Sequence, residues 1–290
     1  MTTAGRSELR VAGVPEHFNL PWRLATADDA FRDTGCSVDY IEIAAGTGEM
    51  TRALREREFD LALVLTEGAV ADALVHDVNR IVKVWVSSPL TWGIHVAAKS
   101  RYRTPADVRG KRYAISRYGS GSHLIAIVDA AARGWDTENL AFVVVDDIDG
   151  ARAALSSGEA DIFLWEQHMT QPLVDAGEFR RIAVREVPWP AFVVSARREL
   201  LAREPARIRA VLDVASRYAL NLKRRSTAAA LVAERFGLEL PGAEAWMRSV
   251  RWSRGYRKPA GALQRATAAL RAQGIVSEEA CRRIDPWFQL

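Results

Sequence analysis

The stretch Ser116-Arg117-Tyr118-Gly119-Ser120-Gly121-Ser122-His123 gathers three serine hydroxyls and two glycines between two apolar runs. Tyr113-Ala114-Ile115 before it has strand character, and Leu124 to Ala132 after it reads as a helix. A small-residue turn of this kind leaves backbone N–H groups at the helix start without partners. With the hydroxyls and the positive end of the helix dipole, those groups favour a negative or strongly polar ligand group. Ser116, Ser120, Gly121, Ser122 and His123 are therefore candidate ligand contacts. The purely structural alternative is an ordinary strand–helix turn with a serine as N-cap.

Other chemistry-bearing residues fall at similar junctions. Glu16 and His17 lie in Pro15-Glu16-His17-Phe18-Asn19, Thr47 in Gly46-Thr47-Gly48, and Glu67 in Leu65-Thr66-Glu67. Ser88 lies in Ser87-Ser88-Pro89-Leu90, with Trp92 just beyond; Trp165-Glu166 follows a strand, and Trp189 stands in Pro188-Trp189-Pro190. Each has a structural counterpart: a surface His, a capping carboxylate at Glu67, a core or hinge-stiffening Trp. His17 with Glu16, or Glu67 with Glu166, are the pairs that could serve general acid–base work. No nucleophile–base motif, metal-ligand spacing or nucleotide fingerprint is present, so no cofactor and no metal are expected.

The elements that must position these residues alternate. Strands at 9–14, 38–43 and 60–65 are each followed by a helix, at 21–31, after Gly46 and over 69–74. Such alternation argues for a parallel sheet with crossover helices, and ligands bind outside the carboxyl ends of its strands. Glu16, His17, Thr47 and Glu67 should thus face one crevice. After strands at 80–86 and 94–98 a second unit follows: strands 111–116, 140–145, 160–164 and 179–184, with helices 122–133, 149–157 and 166–175. A strand at 191–195 closes it. From Glu199 the pattern is helical, with Ile208, Val211, Leu212, Ala215, Leu220 and Leu222 on one face. The reading is two α/β lobes, residues 1–91 with 191–290 and residues 92–190, the helical tail packing on the first.

Composition bounds the function. At 290 residues, 49% hydrophobic and 26% charged, the chain suits one large or two medium globular domains. The net charge of +4 comes from basic residues scattered along helix faces, which argues against a nucleic-acid partner. Cys36 and Cys281 fall in no metal spacing and read as reduced thiols, a single disulfide being the alternative. No apolar run reaches the roughly 20 residues of a membrane-spanning helix. Met1 to Arg10 shows no signal peptide, which points to a cytoplasmic protein, or to a periplasmic or extracellular one if an export signal has been removed.

Taken together, the motifs Pro15-Glu16-His17-Phe18, Gly46-Thr47-Gly48, Leu65-Thr66-Glu67, Ser87-Ser88-Pro89-Leu90, Ser116 to Ser122, Trp165-Glu166 and Pro188-Trp189-Pro190 resemble a known set. They are similar to a small group of uncharacterised fungal and bacterial proteins. These belong to the broad type II periplasmic-binding-protein-like family of sulfonate, nitrate and thiamine-precursor substrate-binding proteins. The resemblance covers roughly residues 8 to 195 and implies a two-lobed fold with a ligand cleft between the lobes. It supplies no ligand. The chain lacks the cysteine cluster of the family's pyrimidine-synthesising enzymes, which argues against that activity, and the missing signal puts a transporter partner in doubt. The expected function is a soluble protein that holds an acidic or zwitterionic metabolite. The alternative is an enzyme on the same scaffold, performing a lyase or dehydratase step.

Overall fold

A computed structural model of the chain describes residues 7–290. In chain order the elements are β1 (Ser7–Gly13), α1 (Leu20–Ala27), β2 (Cys36–Glu42), α2 (Thr47–Arg55), β3 (Leu61–Leu65), α3 (Thr66–His76), β4 (Asn79–Val86) and β5 (Thr91–Ala97). Then come β6 (Arg112–Ile115), α4 (Gly121–Ala132), β7 (Ala141–Val144), α5 (Ile148–Ser157), β8 (Ile162–Glu166), α6 (Gln171–Asp175), β9 (Phe179–Glu186) and β10 (Phe192–Arg197). Six helices close the chain: α7 (Arg198–Arg203), α8 (Pro205–Arg224), α9 (Ala228–Phe236), α10 (Leu240–Ser249), α11 (Ala260–Ala272) and α12 (Glu278–Arg283).

Two five-stranded sheets result, ordered β2-β1-β3-β10-β4 and β7-β6-β8-β5-β9. In the first, β1 pairs in parallel with β2 and β3, and β10 runs antiparallel between β3 and β4. In the second, β6 pairs in parallel with β7 and β8, and β5 runs antiparallel between β8 and β9. The chain therefore passes from one sheet to the other twice, between β4 and β5 and between β9 and β10. The molecule is α/β and two-lobed. β3, Leu-Ala-Leu-Val-Leu, is buried at every position, as a central strand with both faces covered must be.

The tail packs on the first lobe: α8 lies against α1, and α11 and α12 against α3. It also covers a sheet edge. β4 is an edge strand, and isolated bridges from Trp287 to Ile81 and from Trp252 to Val86 occupy it. Lys83, fully buried on β4, donates to the Gly255 carbonyl at 3.0 Å and sits 4.2 Å from the Tyr256 ring centre.

Several boundaries differ from the sequence expectation. Thr66-Glu67-Gly68 is not a loop but the first turn of α3. Trp165-Glu166 ends β8 rather than opening a helix, because the apolar run continues through Trp165 and α6 starts only at Gln171. Trp92 lies inside β5. Helix α1 stops at Ala27 rather than at Phe31. On α8 Ala219 takes the buried position expected of Leu220, which is only half-buried. α12 carries no apolar stripe and was not legible. The first six residues of the N-terminal stretch, and of the first lobe as delimited above, lie outside the described residues.

Candidate functional site

A cavity of about 250 Å³ lies where the carboxyl ends of strands from both sheets meet. From the first lobe it is lined by the turn after β1 (Val14, Pro15, Glu16), the turn into α2 (Ala44 to Thr47), and Leu65 and Phe192. From the second come Trp92, the serine–glycine turn, the start of α5 (Asp147 to Asp149), and Trp165, Glu166 and Met169. Of the sequence candidates, Glu16, Thr47, Trp92, Ser116, Ser120, Gly121, Ser122, Trp165 and Glu166 are gathered here.

The serine–glycine turn is held by its own hydroxyls. Ser120 is the N-cap of α4, its Oγ accepting from the His123 N–H at 3.3 Å. Ser122 Oγ accepts from the Ser116 N–H at 3.0 Å and lies 3.0 Å from Ser120 Oγ and 3.3 Å from Ser116 Oγ. Gly121 has a steric cause. A Cβ there would stand 2.3 Å from Leu65 Cδ1 and 2.9 Å from the Trp92 ring. The left-handed backbone conformation belongs instead to Gly119, at φ +79.

Opposite, α2 begins at Thr47 without a side-chain cap. Thr47 Oγ1 accepts from the Leu65 N–H at 3.0 Å. Arg117 reaches over the same turn, and a Cβ on Gly48 would lie 3.5 Å from its Cδ. Its Nη1 is buried without a hydrogen-bond partner among the described residues, and its charge acts on Glu49 of α2.

Two carboxyl groups differ in state. Glu166 Oε2 accepts from the His168 N–H at 2.9 Å and the Met169 N–H at 2.8 Å, and lies 3.5 Å from His17 Nε2. Burial pushes Glu166 up, but contact with His17, the charges of His17 and His168 and the Met169 N–H outweigh it. It therefore sits below the usual carboxylate range. Glu16 is raised to about 8, first by burial and then by the negative charge of Glu166. At neutral pH one is an ionised acceptor and the other a neutral acid that can donate.

Five candidates lie elsewhere. His17 is fully buried behind Glu166, its ring 4.2 Å from Trp246 and 4.6 Å from Phe18. Glu67 does not join Thr47 in the cavity wall opposite the serine–glycine turn. Its Oε2 accepts from Trp189 Nε1 at 2.8 Å, so these two side chains hold one another at the second crossing. Burial pushes Glu67 up to about 7. Ser88 Oγ accepts from the Arg251 N–H at 3.1 Å, tying the first crossing to the tail. His123 lies about 200° around α4 from Gly121. It turns outward: Nδ1 accepts from the Gly119 N–H at 3.1 Å and the ring packs on Phe142.

The sequence reading missed Asp147, Ile148 and Asp149. The signal existed, for Val144-Val145-Asp146-Asp147 ends a parallel strand just as the other contributing loops do. Asp147 caps α5 through the Asp149 and Gly150 N–H groups, both at 3.0 Å. Among the described residues no group of three or more His, Cys, Asp or Glu could hold a metal ion.

Residues 92–184, nearly the whole second lobe, match a family model described as Ca3427-like PBP. The chain superposes on the Candida albicans CA3427 gene product with a TM-score of 0.88 at 21% identity, covering 95% of this chain and 94% of that one. That protein's structure exhibits the generic periplasmic binding protein fold. This chain has the periplasmic-binding-protein fold. The alkanesulfonate-binding protein SsuA of Xanthomonas axonopodis pv. citri, bound to MOPS, shares the fold with a TM-score of 0.81 at 19% identity, over 98% of this chain and 99% of that one. SsuA of Escherichia coli, an aliphatic sulphonate binding protein, matches at 0.73 and 20%, over 98% and 94%. The uncharacterised subgroup that the motifs resemble fits these matches. No curated protein matches the chain.

Proposed function

We propose that the protein binds a small acidic or zwitterionic metabolite in the cavity between its lobes. One observation carries the reading: two helix N-termini, α2 from one lobe and α4 from the other, meet at a single apolar-walled cavity. The first N–H groups of α2 have no side-chain cap, and the dipole there favours an oxyanion. Trp92, Trp165, Ile148 and Phe192 offer apolar surface to the body of a ligand. An anionic head on an organic body is also what the names of the two SsuA neighbours describe. Among the described residues no helix is long and apolar enough to cross a membrane.

A thermal-shift panel tests this, since a ligand that binds only the folded state raises the melting temperature with concentration. MOPS, alkanesulfonates and aromatic carboxylates should stabilise the wild type, and Ala45→Trp, which fills the cavity from the turn before α2, should abolish the effect. Stabilisation by inorganic sulfate and phosphate alone, or undiminished stabilisation of Ala45→Trp, contradicts the reading.

One observation favours an enzyme instead. Glu16 and Glu166 share the cavity in opposite protonation states, as an acid and a base of a lyase or dehydratase step would. Turnover of a bound ligand, abolished in Glu166→Gln, would establish it.

A further inference from the structure

Four charged side chains line the cavity, Glu16, Asp147, Asp149 and Glu166, and all four are acidic. Three are engaged within the protein. Asp147 caps α5, Asp149 pairs with Arg152 at 2.9 Å, and Glu166 accepts from two N–H groups beside His17. Glu16 differs. It follows β1 by three residues, on the cavity wall between Pro15 and the buried His17, with no hydrogen bond to its carboxyl group among the described residues. The same cavity wall carries Val14, Leu65, Phe192 and the rings of Trp92 and Trp165, and its three serine hydroxyls bond one another or the backbone of their own turn. A carboxyl group facing an apolar space without a protein partner needs one from whatever fills that space.

We propose that the ligand carries a protonated amine, or a comparably strong N–H donor, at the end that meets Glu16, so that this residue selects zwitterions over simple acids. This rests on the reading of the cavity given above. It also narrows it, because the helix N-termini account only for the acidic end. Other ionisable groups face Glu16 or its neighbour: Tyr40 on β2, His17 on the same turn, Glu166 on β8, and His168 and Arg181 around Glu166. Burial and Glu166 keep Glu16 protonated until about pH 8. An incoming cation would make a charge-assisted hydrogen bond only with the ionised form. Binding the cation therefore releases a proton, whereas binding a simple acid does not.

Three probes separate the possibilities: 4-(aminomethyl)benzoate, 4-methylbenzoate and benzylamine, titrated against wild type and Glu16→Gln. The amino acid should bind the wild type at least about tenfold more tightly than 4-methylbenzoate at pH 8. Its affinity should rise about tenfold between pH 6.5 and 7.5 while that of 4-methylbenzoate stays level, the relation expected when one proton leaves. Comparison with Glu16→Gln isolates this carboxyl group from the other ionisable groups, which both proteins share. In Glu16→Gln the preference and the slope should vanish while 4-methylbenzoate still binds, which also shows that the variant is folded. Equal or tighter binding of 4-methylbenzoate by the wild type overturns the proposal and leaves an acid-binding cavity standing. So does a preference that survives in Glu16→Gln, and loss of 4-methylbenzoate binding in that variant removes Glu16 from a role specific to the cation. Binding of none of the three probes by the wild type overturns both this proposal and the reading beneath it.

Discussion

Glu67 and Trp189 show how a single contact serves the hinge rather than the ligand. The carboxyl group is buried on α3, and one oxygen accepts from the indole while Oε1 has no partner. Its pKa is raised from 4.5 to about 7 by burial. Below 4.5 the group is neutral in both folded and unfolded chains and costs nothing. Between 4.5 and 7 the unfolded chain ionises while the folded one keeps its proton, so stability falls as pH rises. Above 7 the loss levels off at about 3 kcal/mol. Glu67→Gln keeps the shape and the acceptor without the charge. The melting temperature of the variant relative to wild type should climb between pH 5 and pH 8; a constant difference would refute the assignment. The serines divide similarly. Ser120→Ala removes the cap of α4 and should cost about 1 kcal/mol of stability. Ser122→Ala leaves the buried Ser116 N–H without its acceptor and should cost about 1–3 kcal/mol. Melting curves of the two variants, compared at one pH, check the order. At this scale the sequence revealed residue types and their loops but not side-chain direction. Glu16, Thr47 and Trp165 reach the cavity, whereas His17 turns behind Glu166 and His123 turns outward, because each follows packing partners such as Trp246 and Phe142 that are distant in sequence.

At the scale of elements, the strand–helix junctions do the positioning. Each parallel strand delivers a short polar turn to the same side of its sheet, and the antiparallel strands β5 and β10 bring Trp92 and Phe192 between them. That alternation was legible because apolar runs such as Leu61 to Leu65 are short and end at polar or glycine-bearing turns. What local pattern did not disclose was where an element stops. Trp165-Glu166 continues β8, and Thr66-Glu67-Gly68 already belongs to α3, since neither boundary carries a proline or a cap that would mark it. The strap of the tail across the edge of β4 was equally hidden, being made by isolated residues, Trp252 and Trp287. Close approach between elements gives a sharper prediction. Gly121 on α4 touches Leu65 at the end of β3 with no room for a Cβ. Gly121→Val should push the lobes apart while leaving each folded. The expected outcome is a larger radius of gyration by small-angle scattering with an unchanged circular dichroism spectrum. An unchanged radius would mean that α4 yields locally instead.

At the scale of the molecule, two crossings join two sheets, and both are secured to something outside themselves. The first is tied to the tail through Ser88 and Arg251. The second is tied to α3 through Glu67 and to α11 through Arg265, whose Nε donates to the Pro188 carbonyl at 2.8 Å. Around this hinge the lobes touch at Leu65 with Gly121, at Gly48 with Arg117 and at His17 with Glu166, enclosing the cavity. Domain closure of this kind is a common response to ligand in two-lobed proteins, and on the proposed reading a ligand enters by its reversal. The two-lobed plan was readable from the repeated alternation and the motif set. The chemistry of the cavity was not, because its acidic lining comes from three separate junctions, one of them at Asp147, and its apolar walls from strands that cross between lobes. The central claim is that this cavity holds one small organic acid or zwitterion. Non-denaturing mass spectrometry of the protein after incubation with a mixed pool of such compounds tests it most directly. The account predicts one bound molecule per chain for wild type and none for Ala45→Trp. The same adducts on both proteins, or no adduct on either, would contradict it.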